Sequence, residues 1–522
     1  MLLLYLGQVL VLKENRLIAF NKLKRNIIDN GFCTACGACE GACPVRALQV
    51  KGEKVERLYD CSTIADLCPI CYEICPHSEP LLLRSLEAVY NAPIRSEAVG
   101  YVRKILLAQS NDSKIREKSR DGAVVTTLLD FGVKNKIFDS AIVTQTDKDT
   151  PVKPKPSVAL VPDDICTAIG TKFFPSSVIR TYSEAVLNYE KKDIALVAVP
   201  CQALALRKID AWKHKISGKT KVLIGLFCFG TLSLDSFLAY VKKEYKVEPS
   251  EIKKMYVSSS LVLDTNRGPI RMPLSKFKKH ILPCCKTCID YTSELADISV
   301  GSAYPLKDWS VVIIRTKAGE DFFNYVVQKG IINVRNIEQE PEVFEGMIVA
   351  ALNKRNSGLI EANKLEQTHS FVPVRLLRET DSLSDVKVED IMSKDVITVS
   401  SNMTVCELMT IMTNTTYIGY PVINENNELV GIVTIEEVAK VDKDSRWKTT
   451  VGSIARQNID VSYPGETALD VIRKMRKQGT GRVIVLDPKD PQKILGIVTK
   501  RDLMHLLIKQ ASESTLSGSG IG

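Results

Sequence analysis

The chain has 522 residues, 45% of them hydrophobic and 25% charged, which suggests three or four ordinary globular domains with sizeable cores. Its net charge of +9 is modest and spread along the chain, and no basic run interleaves with aromatics, which argues against nucleic acid as a partner. Fifteen cysteines without an exporting signal lead to the expectation of a reducing cytoplasm and of metal or redox chemistry; five scattered histidines, His77, His214, His280, His369 and His505, argue against a histidine metal site or triad.

Residues 1–7 are apolar but too short to span a bilayer, and they read as a strand or helix packed on the unit that follows. Residues 33–44 read C-x2-C-x2-C-x3-C-P, the bacterial ferredoxin run. Cys33, Cys36 and Cys39 can hold three irons of one cubane, while the cysteine before proline, Cys43, serves a second cluster. The second run is irregular: Cys68, Cys71 and Cys75-Pro76 match the back half, but Ala65 stands where a ligand belongs, and Cys61 is the replacement. The crossed assignment is Cys33, Cys36, Cys39 and Cys75 on one 4Fe–4S cluster and Cys43, Cys61, Cys68 and Cys71 on the other. Zinc and disulfides are the competing readings, but two runs each ending in Cys-Pro are not the habit of zinc, and a disulfide scaffold is expected with an exporting signal.

After a short helix over 81–90, strands are predicted at 105–109, 140–145, 194–199 and 222–227, with helical stretches between them. Strands this apolar imply an α/β sheet covered on both faces. Residues 222–241 carry one charge, Asp235, yet read as a buried strand, a turn and a helix capped from 233–235, not a membrane span. The loop 119–122, Ser-Arg-Asp-Gly, opens a helix over 123–132 and offers an anion site. Residues 170–177 offer hydroxyls and Lys172 for phosphate and two rings for stacking. Cys201 and Cys228 at strand ends, with Cys284-Cys285-Lys-Thr-Cys288, can close a four-thiolate site, although isolated strand cysteines are usually small buried hydrophobes.

Pro200-Cys201-Gln202-Ala203-Leu204, Phe227-Cys228-Phe229-Gly230, Cys285-Lys-Thr-Cys288-Ile-Asp290, the segment 296–301 and Trp309 to Thr316 resemble motifs of the family of coenzyme F420 hydrogenase/dehydrogenase beta subunits. Residues 119–126 are similar to that family's Asp-Gly-Gly loop, with Ala123 in place of the second glycine. The resemblance covers about 30–355, and with the ferredoxin unit in front it is to the F420-oxidising input subunit of archaeal respiratory dehydrogenases. It implies FAD and a third 4Fe–4S cluster on Cys201, Cys228, Cys285 and Cys288, with Cys284 spare. It also implies Asp121, Gly122, Thr126, Thr171, Lys172 and Ser176 as flavin-site residues. Flavin and clusters together form a wire between a two-electron carrier, reduced F420, and a one-electron partner such as ferredoxin or another redox subunit. The chemistry then belongs to the cofactors, and no protein general base is assigned. Residues 241–280 hold ten Lys/Arg against four Asp/Glu, and Lys276, Lys278 and Lys279 are expected to meet the anionic tail of F420.

Beyond an aperiodic linker, Gly431-Ile-Val-Thr434 recurs as Gly496-Ile-Val-Thr499, each within the order strand, amphipathic helix, strand, strand, helix. This resembles a tandem pair of CBS domains, which implies an adenine nucleotide, AMP or ATP, on Thr434 with Glu437 and on Thr499 with Asp502, and a homodimer formed through the pair. The expected division is a ferredoxin-type domain 1–85, an α/β domain with FAD and a cluster 95–365, a linker 366–384, CBS repeats 385–445 and 446–510, and a disordered Ser/Gly tail 511–522. The leading functional expectation is an iron–sulfur flavoprotein oxidising reduced F420, in the cytoplasm or peripheral to a membrane complex. The competitors are a reductase of another substrate, such as the chlorophyll-type rings reduced within the same family, and a non-enzymatic relay or nucleotide sensor.

Overall fold

The computed structural model describes residues 19–503 apart from 62–67, 87, 90–93, 97, 120, 148–149, 258–259, 370, 372–385, 416, 418, 460, 469, 472–473, 476–480 and 500–501. Residues 1–7, Ala65, Arg120, most of the linker and the tail 511–522 lie outside the described residues.

A mixed eight-stranded sheet forms the centre. Its strands are β1 (Lys104–Ser110), β2 (Ser140–Thr146), β3 (Pro154–Ala159), β4 (Ile194–Ala198), β5 (Thr220–Leu226), β6 (Ile298–Ser302), β7 (Ser310–Ile314) and β8 (Ile332–Asn336). They lie in the order β8-β1-β7-β6-β5-β4-β2-β3. Strands β2, β4, β5 and β6 are mutually parallel, β7 runs antiparallel between β6 and β1, and β3 and β8 close the edges antiparallel. Parallel strands need cover on both faces, which is why β4 is apolar throughout. One face, with Val143, Val222, Ile224 and Val312, packs on Leu128 and Phe323 of helices Val124–Lys134 and Lys317–Gln328. The other packs Ile142, Leu196 and Leu223 against Tyr182 and Leu206 of helices Val178–Leu187 and Pro200–Ala211. Towards β7 that second face, with Leu107, Val311 and Ile313, meets the long helix Pro341–Glu366. The carboxyl ends of β1, β2, β4, β5 and β6 therefore share one edge, the side on which open α/β sheets bind ligands.

Two sequence motifs turn out to hold this sheet together. Asp297 accepts from Leu223 N at 2.7 Å, Arg207 Nη2 at 2.9 Å and Thr316 Oγ1 at 2.7 Å. Arg315 is fully buried and donates to Ser299 Oγ at 2.7 Å and to the carbonyls of Val99 and Tyr101 at 2.7 and 2.8 Å. The helix expected over 81–90 is present as Leu82–Leu86. Helix Leu234–Tyr245 has Ser233 as its cap, as the sequence predicts, with Oγ accepting from Ser236 N at 3.4 Å. It covers a small antiparallel sheet, Ile252–Val257, Leu261–Thr265 and Gly268–Met272, that sequence reasoning missed.

The N-terminal unit comprises helix Ala19–Leu23, a π-turn Lys24–Ile28, the helical turns Ala38–Gly41 and Ile70–Glu73, and the hairpin Leu48–Lys51/Lys54–Arg57. It is seated on helix Val178–Leu187. Ile179 N donates to the Cys36 carbonyl at 3.1 Å, Ser177 Oγ to that of Ala35 at 3.0 Å and Ser183 Oγ to that of Gly41 at 2.6 Å. Gly37 has φ 81°, and a Cβ there would come within 2.8 Å of Arg180 Cβ, so only glycine allows this approach. The fully buried Lys208 seals the joint, donating to the carbonyls of Cys75 and Ser78 at 2.7 Å each.

The two C-terminal repeats share one topology. Val399–Ser400 runs parallel to Gly419–Ile423, which pairs antiparallel with Leu429–Thr434. Val461–Ser462, Arg482–Asp487 and Asp490–Thr499 repeat the pattern. The first strands of the two repeats begin at Val399 and Val461. The lead segments cross over: Val388 N donates to Glu466 O at 2.9 Å in the second repeat, and Val451 N to Met403 O at 2.8 Å in the first. The first repeat rests on helix Pro341–Glu366, and Phe344, Met347 and Ile348 share one core with Val405, Leu408 and Met412. Inside that contact Arg446 Nη1 and Nη2 grip Glu345 Oε2 and Oε1 at 2.5 and 2.8 Å. Among the described residues no helix is long and apolar enough to cross a membrane.

Candidate functional site

All fifteen cysteines are free thiols. Cys33, Cys36, Cys39 and Cys75 line one hollow, together with Ile27 and Ile28 of the π-turn. Burial first, then Cys75, pushes the Cys36 thiol up to about 12. Cys71 is pushed up to about 12 by burial and then by Cys68, Cys43 and Cys61, so these four form a second group. The structure thus brings together the four residues of each set in the crossed assignment. A third group lies at the carboxyl ends of β4 and β5: Cys201 at the start of helix Pro200–Ala211, Cys228 just after β5, and Cys285 with Cys288.

These donor sets fit iron–sulfur clusters. Buried thiols this close resist ionising together, and cations between them are what would let them do so. Among the described residues no three His, Cys, Asp or Glu side chains converge on a single-ion position. Cys33, Cys36, Cys39 and Cys75 ring a hollow instead. The three groups also run into one another. Cys39 lies within electrostatic reach of Cys71, and Cys201 within reach of Cys36. Cys284 is buried and donates to Cys285, which holds that thiol below its ordinary range. Thr231 N also donates to Cys285 Sγ, at 3.3 Å. Lys354 from helix Pro341–Glu366 reaches in, its Nζ donating to the carbonyls of Phe229 and Cys285 at 2.7 and 3.1 Å. Burial pulls its ammonium down, but Cys288, Cys228 and Cys285 outweigh that and hold it up.

The flavin-site candidates fall in two places. Asp121 accepts from Ser302 Oγ at 3.1 Å beside the end of β6. Gly122 N donates to Ser310 Oγ at 3.1 Å, and a Cβ there would stand 2.4 Å from the Ala108 carbonyl, so this glycine serves sheet packing. Ala123, at φ 58°, occupies the conformation for which the family's second glycine is suited, and it leaves the start of helix Val124–Lys134, with Thr126, free of a side-chain cap. Ser176 lies across the edge, its Oγ 3.3 Å from Thr144 Oγ1. Thr171 and Lys172 instead line a cavity of about 250 Å³ with Thr146, Phe173, Phe174, Lys118, Lys253 and Lys254. Burial first and then Lys254 lowers Lys172 to about 8. Lys276, Lys278 and Lys279 are exposed and do not line this cavity; the basic segment reaches it through Lys253 and Lys254.

In the C-terminal repeats Thr434 and Glu437 form a capping box: Thr434 Oγ1 donates to Glu437 Oε2 at 2.5 Å, and Thr434 N to the same oxygen at 2.9 Å. Thr499 and Asp502 repeat it at 2.7 and 2.8 Å. The threonine–acid spacing thus has a structural role in both copies.

A mixed α/β sheet with a group of cysteines at its carboxyl edge and a ferredoxin-like unit docked beside it is the architecture of an iron–sulfur oxidoreductase. Residues 105–182 and 191–340 match the N-terminal and C-terminal descriptions of the coenzyme F420 hydrogenase/dehydrogenase beta subunit. Residues 26–49 match the 4Fe-4S binding domain, which takes in the first cysteine run, and 388–444 and 451–509 match the CBS domain. The beta subunit of the coenzyme F420 hydrogenase of Methanosarcina barkeri is 32% identical over 237 residues, 44% of this chain and 81% of that one. A subunit of the F(420)H(2) dehydrogenase of Methanosarcina mazei is 31% identical over 314 residues, 58% of this chain and 84% of that one. A solved chain of the F420-reducing [NiFe] hydrogenase complex from Methanosarcina barkeri superposes with a TM-score of 0.50 at 29% identity, covering 53% of this chain and 97% of that one. The chain belongs to the family of coenzyme F420 hydrogenase/dehydrogenase beta subunits, binds iron–sulfur and carries a tandem CBS pair.

Proposed function

We propose that the chain oxidises reduced coenzyme F420 and passes the electrons singly to a redox partner through FAD and three 4Fe–4S clusters. A bound flavin would accept the hydride pair and release electrons one at a time. The protein's part is placement. Cys201, Cys228, Cys285 and Cys288 would hold the inner cluster, Cys33, Cys36, Cys39 and Cys75 the middle one, and Cys43, Cys61, Cys68 and Cys71 the outer one. The start of helix Val124–Lys134 supplies uncapped amides for a flavin phosphate. Lys118, Lys172, Lys253 and Lys254 supply positive charge for an anionic coenzyme. The CBS pair would bind AMP or ATP, the first repeat resting on the helix that also reaches the inner cysteines.

The observation that supports this reading is that the three thiol groups act on one another electrostatically, Cys36 on Cys201 and Cys71 on Cys39. Three separated sites would not make a path. Anaerobic purification followed by iron and flavin analysis tests it: twelve irons and one FAD per chain are expected, and reduced F420 should bleach the flavin absorbance. Zinc in place of iron, a single cluster, or a flavin indifferent to reduced F420 would each overturn it.

A further inference from the structure

Twelve cysteines account for three clusters, yet one charged side chain enters the inner group from a distant part of the chain. Lys354 lies sixty-six residues beyond Cys288 on helix Pro341–Glu366. Its Nζ is bound to the carbonyl of Phe229, the residue after Cys228, at 2.7 Å, and to that of Cys285 at 3.1 Å. The helix packs closely on the cysteine loop. Four residues on, Gly358 lies so close that a Cβ would come within 2.7 Å of the Cys288 carbonyl and 3.0 Å of that of Thr287. The neighbouring cations are spoken for: Arg355 is paired with Glu294 at 2.9 Å, and Arg315 with backbone carbonyls and hydroxyls. The nearby carboxylate, Asp290, accepts from Glu294 N at 2.9 Å.

We infer that Lys354 is a positioning residue that sets the reduction potential of the inner cluster. The inference rests on the assignment of that cluster to Cys201, Cys228, Cys285 and Cys288. Reduction adds one electron and breaks no bond, so the negative charge between the four sulfurs rises by one. A fixed ammonium against the ligand loops favours the form with the extra negative charge, and net charge near the sulfurs is one of the protein's controls on cluster potential. A raised potential lets this cluster draw single electrons from the two-electron donor and hold them for the ferredoxin unit next to it. The ammonium also donates to the backbone on both sides of the site, which keeps the Cys228 and Cys285 loops at one spacing.

Potentiometric titration of the holoprotein, followed by electron paramagnetic resonance, tests this without turnover. The inner-cluster signal is identified as the one lost in Cys288→Ala; if the native protein shows no such signal, the cluster assignment itself is wrong. Lys354→Gln keeps an N–H group for the two carbonyls and removes the charge, while Lys354→Arg keeps the charge. At the native midpoint, Lys354→Gln should shift the oxidised-to-reduced ratio at least tenfold towards oxidised, about 59 mV for one electron, with Lys354→Arg within threefold of native. Native potentials in both variants, or equal shifts in both, would overturn the role of the charge. Loss of the signal from both would also overturn it, by showing that the residue is needed to assemble the cluster.

Discussion

The contact between Arg446 and Glu345 is where the CBS pair is fastened to the electron-transfer domain, and its strength can be worked out. Both side chains are nearly buried, at 6% and 8% exposure, and the guanidinium binds the carboxylate through two nitrogens at 2.5 and 2.8 Å. Arg446 Nε also holds the Val441 carbonyl at 3.1 Å. Arg446→Met leaves the Glu345 charge buried without a partner, which costs about 3–5 kcal/mol. Replacing both by methionine leaves no orphan charge in a surrounding that already holds Met409 and Met412, and most of that loss should be recovered. A loss of that size raises the population of the undocked state by about two to four orders of magnitude. Hydrogen exchange read by mass spectrometry over residues 341–352 and 441–456, the two segments that meet in this contact, measures it. Exchange in Arg446→Met within tenfold of native, or a double variant as open as the single one, would refute the reasoning.

Reversing the charge of the basic cavity with Lys253→Glu and Lys254→Glu should raise the KM for reduced F420 at least tenfold and flatten its salt dependence, whereas the same change at Lys276, Lys278 and Lys279 should leave KM within threefold. Lys172, lowered to about 8 chiefly by burial, is charged below that pH and neutral above it, so KM for the anionic coenzyme should rise as pH passes through about 8; Lys172→Arg should remove that rise. Lys208→Met strips the donor from the carbonyls of Cys75 and Ser78 and should cost about 2–3 kcal/mol, seen as faster exchange at Ile179 N, which otherwise bonds to Cys36. Calorimetry of the full chain with AMP and ATP should show binding that Asp502→Asn weakens; because Asp502 also caps its helix, a matched loss of thermal stability without loss of binding would mark the residue as structural only.

What the sequence makes legible here is whatever depends on short spacing. Cluster ligands must fold back within a few residues of one another, so the two ferredoxin runs announce themselves, and the repeat at 431 and 496 exposes the paired C-terminal modules in the same way. The helix capping of Ser233 and the apolar strands of the central sheet were readable for a like reason, because both are set by local pattern. Position across long distances is different. Lys253 and Lys254 are adjacent on a strand, where successive side chains normally point to opposite faces, and a sequence reading has no reason to place both in one cavity. They line it together because the pairing slips between Ile252 and Lys254, a bulge that re-aims the strand. A count of charges over 241–280 therefore found a segment that reaches this cavity, while the lysines it singled out, Lys276, Lys278 and Lys279, do not line it. Lys354 left no trace of any kind. It is one lysine on a 26-residue helix with charges on many sides, and only the docking of that helix against the Cys285–Cys288 loop gives it a meaning. The same helix carries Glu345, nine residues earlier, into the first CBS repeat, and Asn356 Nδ2 donates to Glu436 Oε1 at 2.9 Å beside Thr434. A ligand that altered the Thr434–Glu437 cap would thus act on an element that holds, within the same turn, the charge at the inner cysteines. Such a ligand would change electron flow only in so far as it binds one position of that helix more tightly than another, so nucleotide binding and a nucleotide-dependent inner-cluster potential are separate measurements.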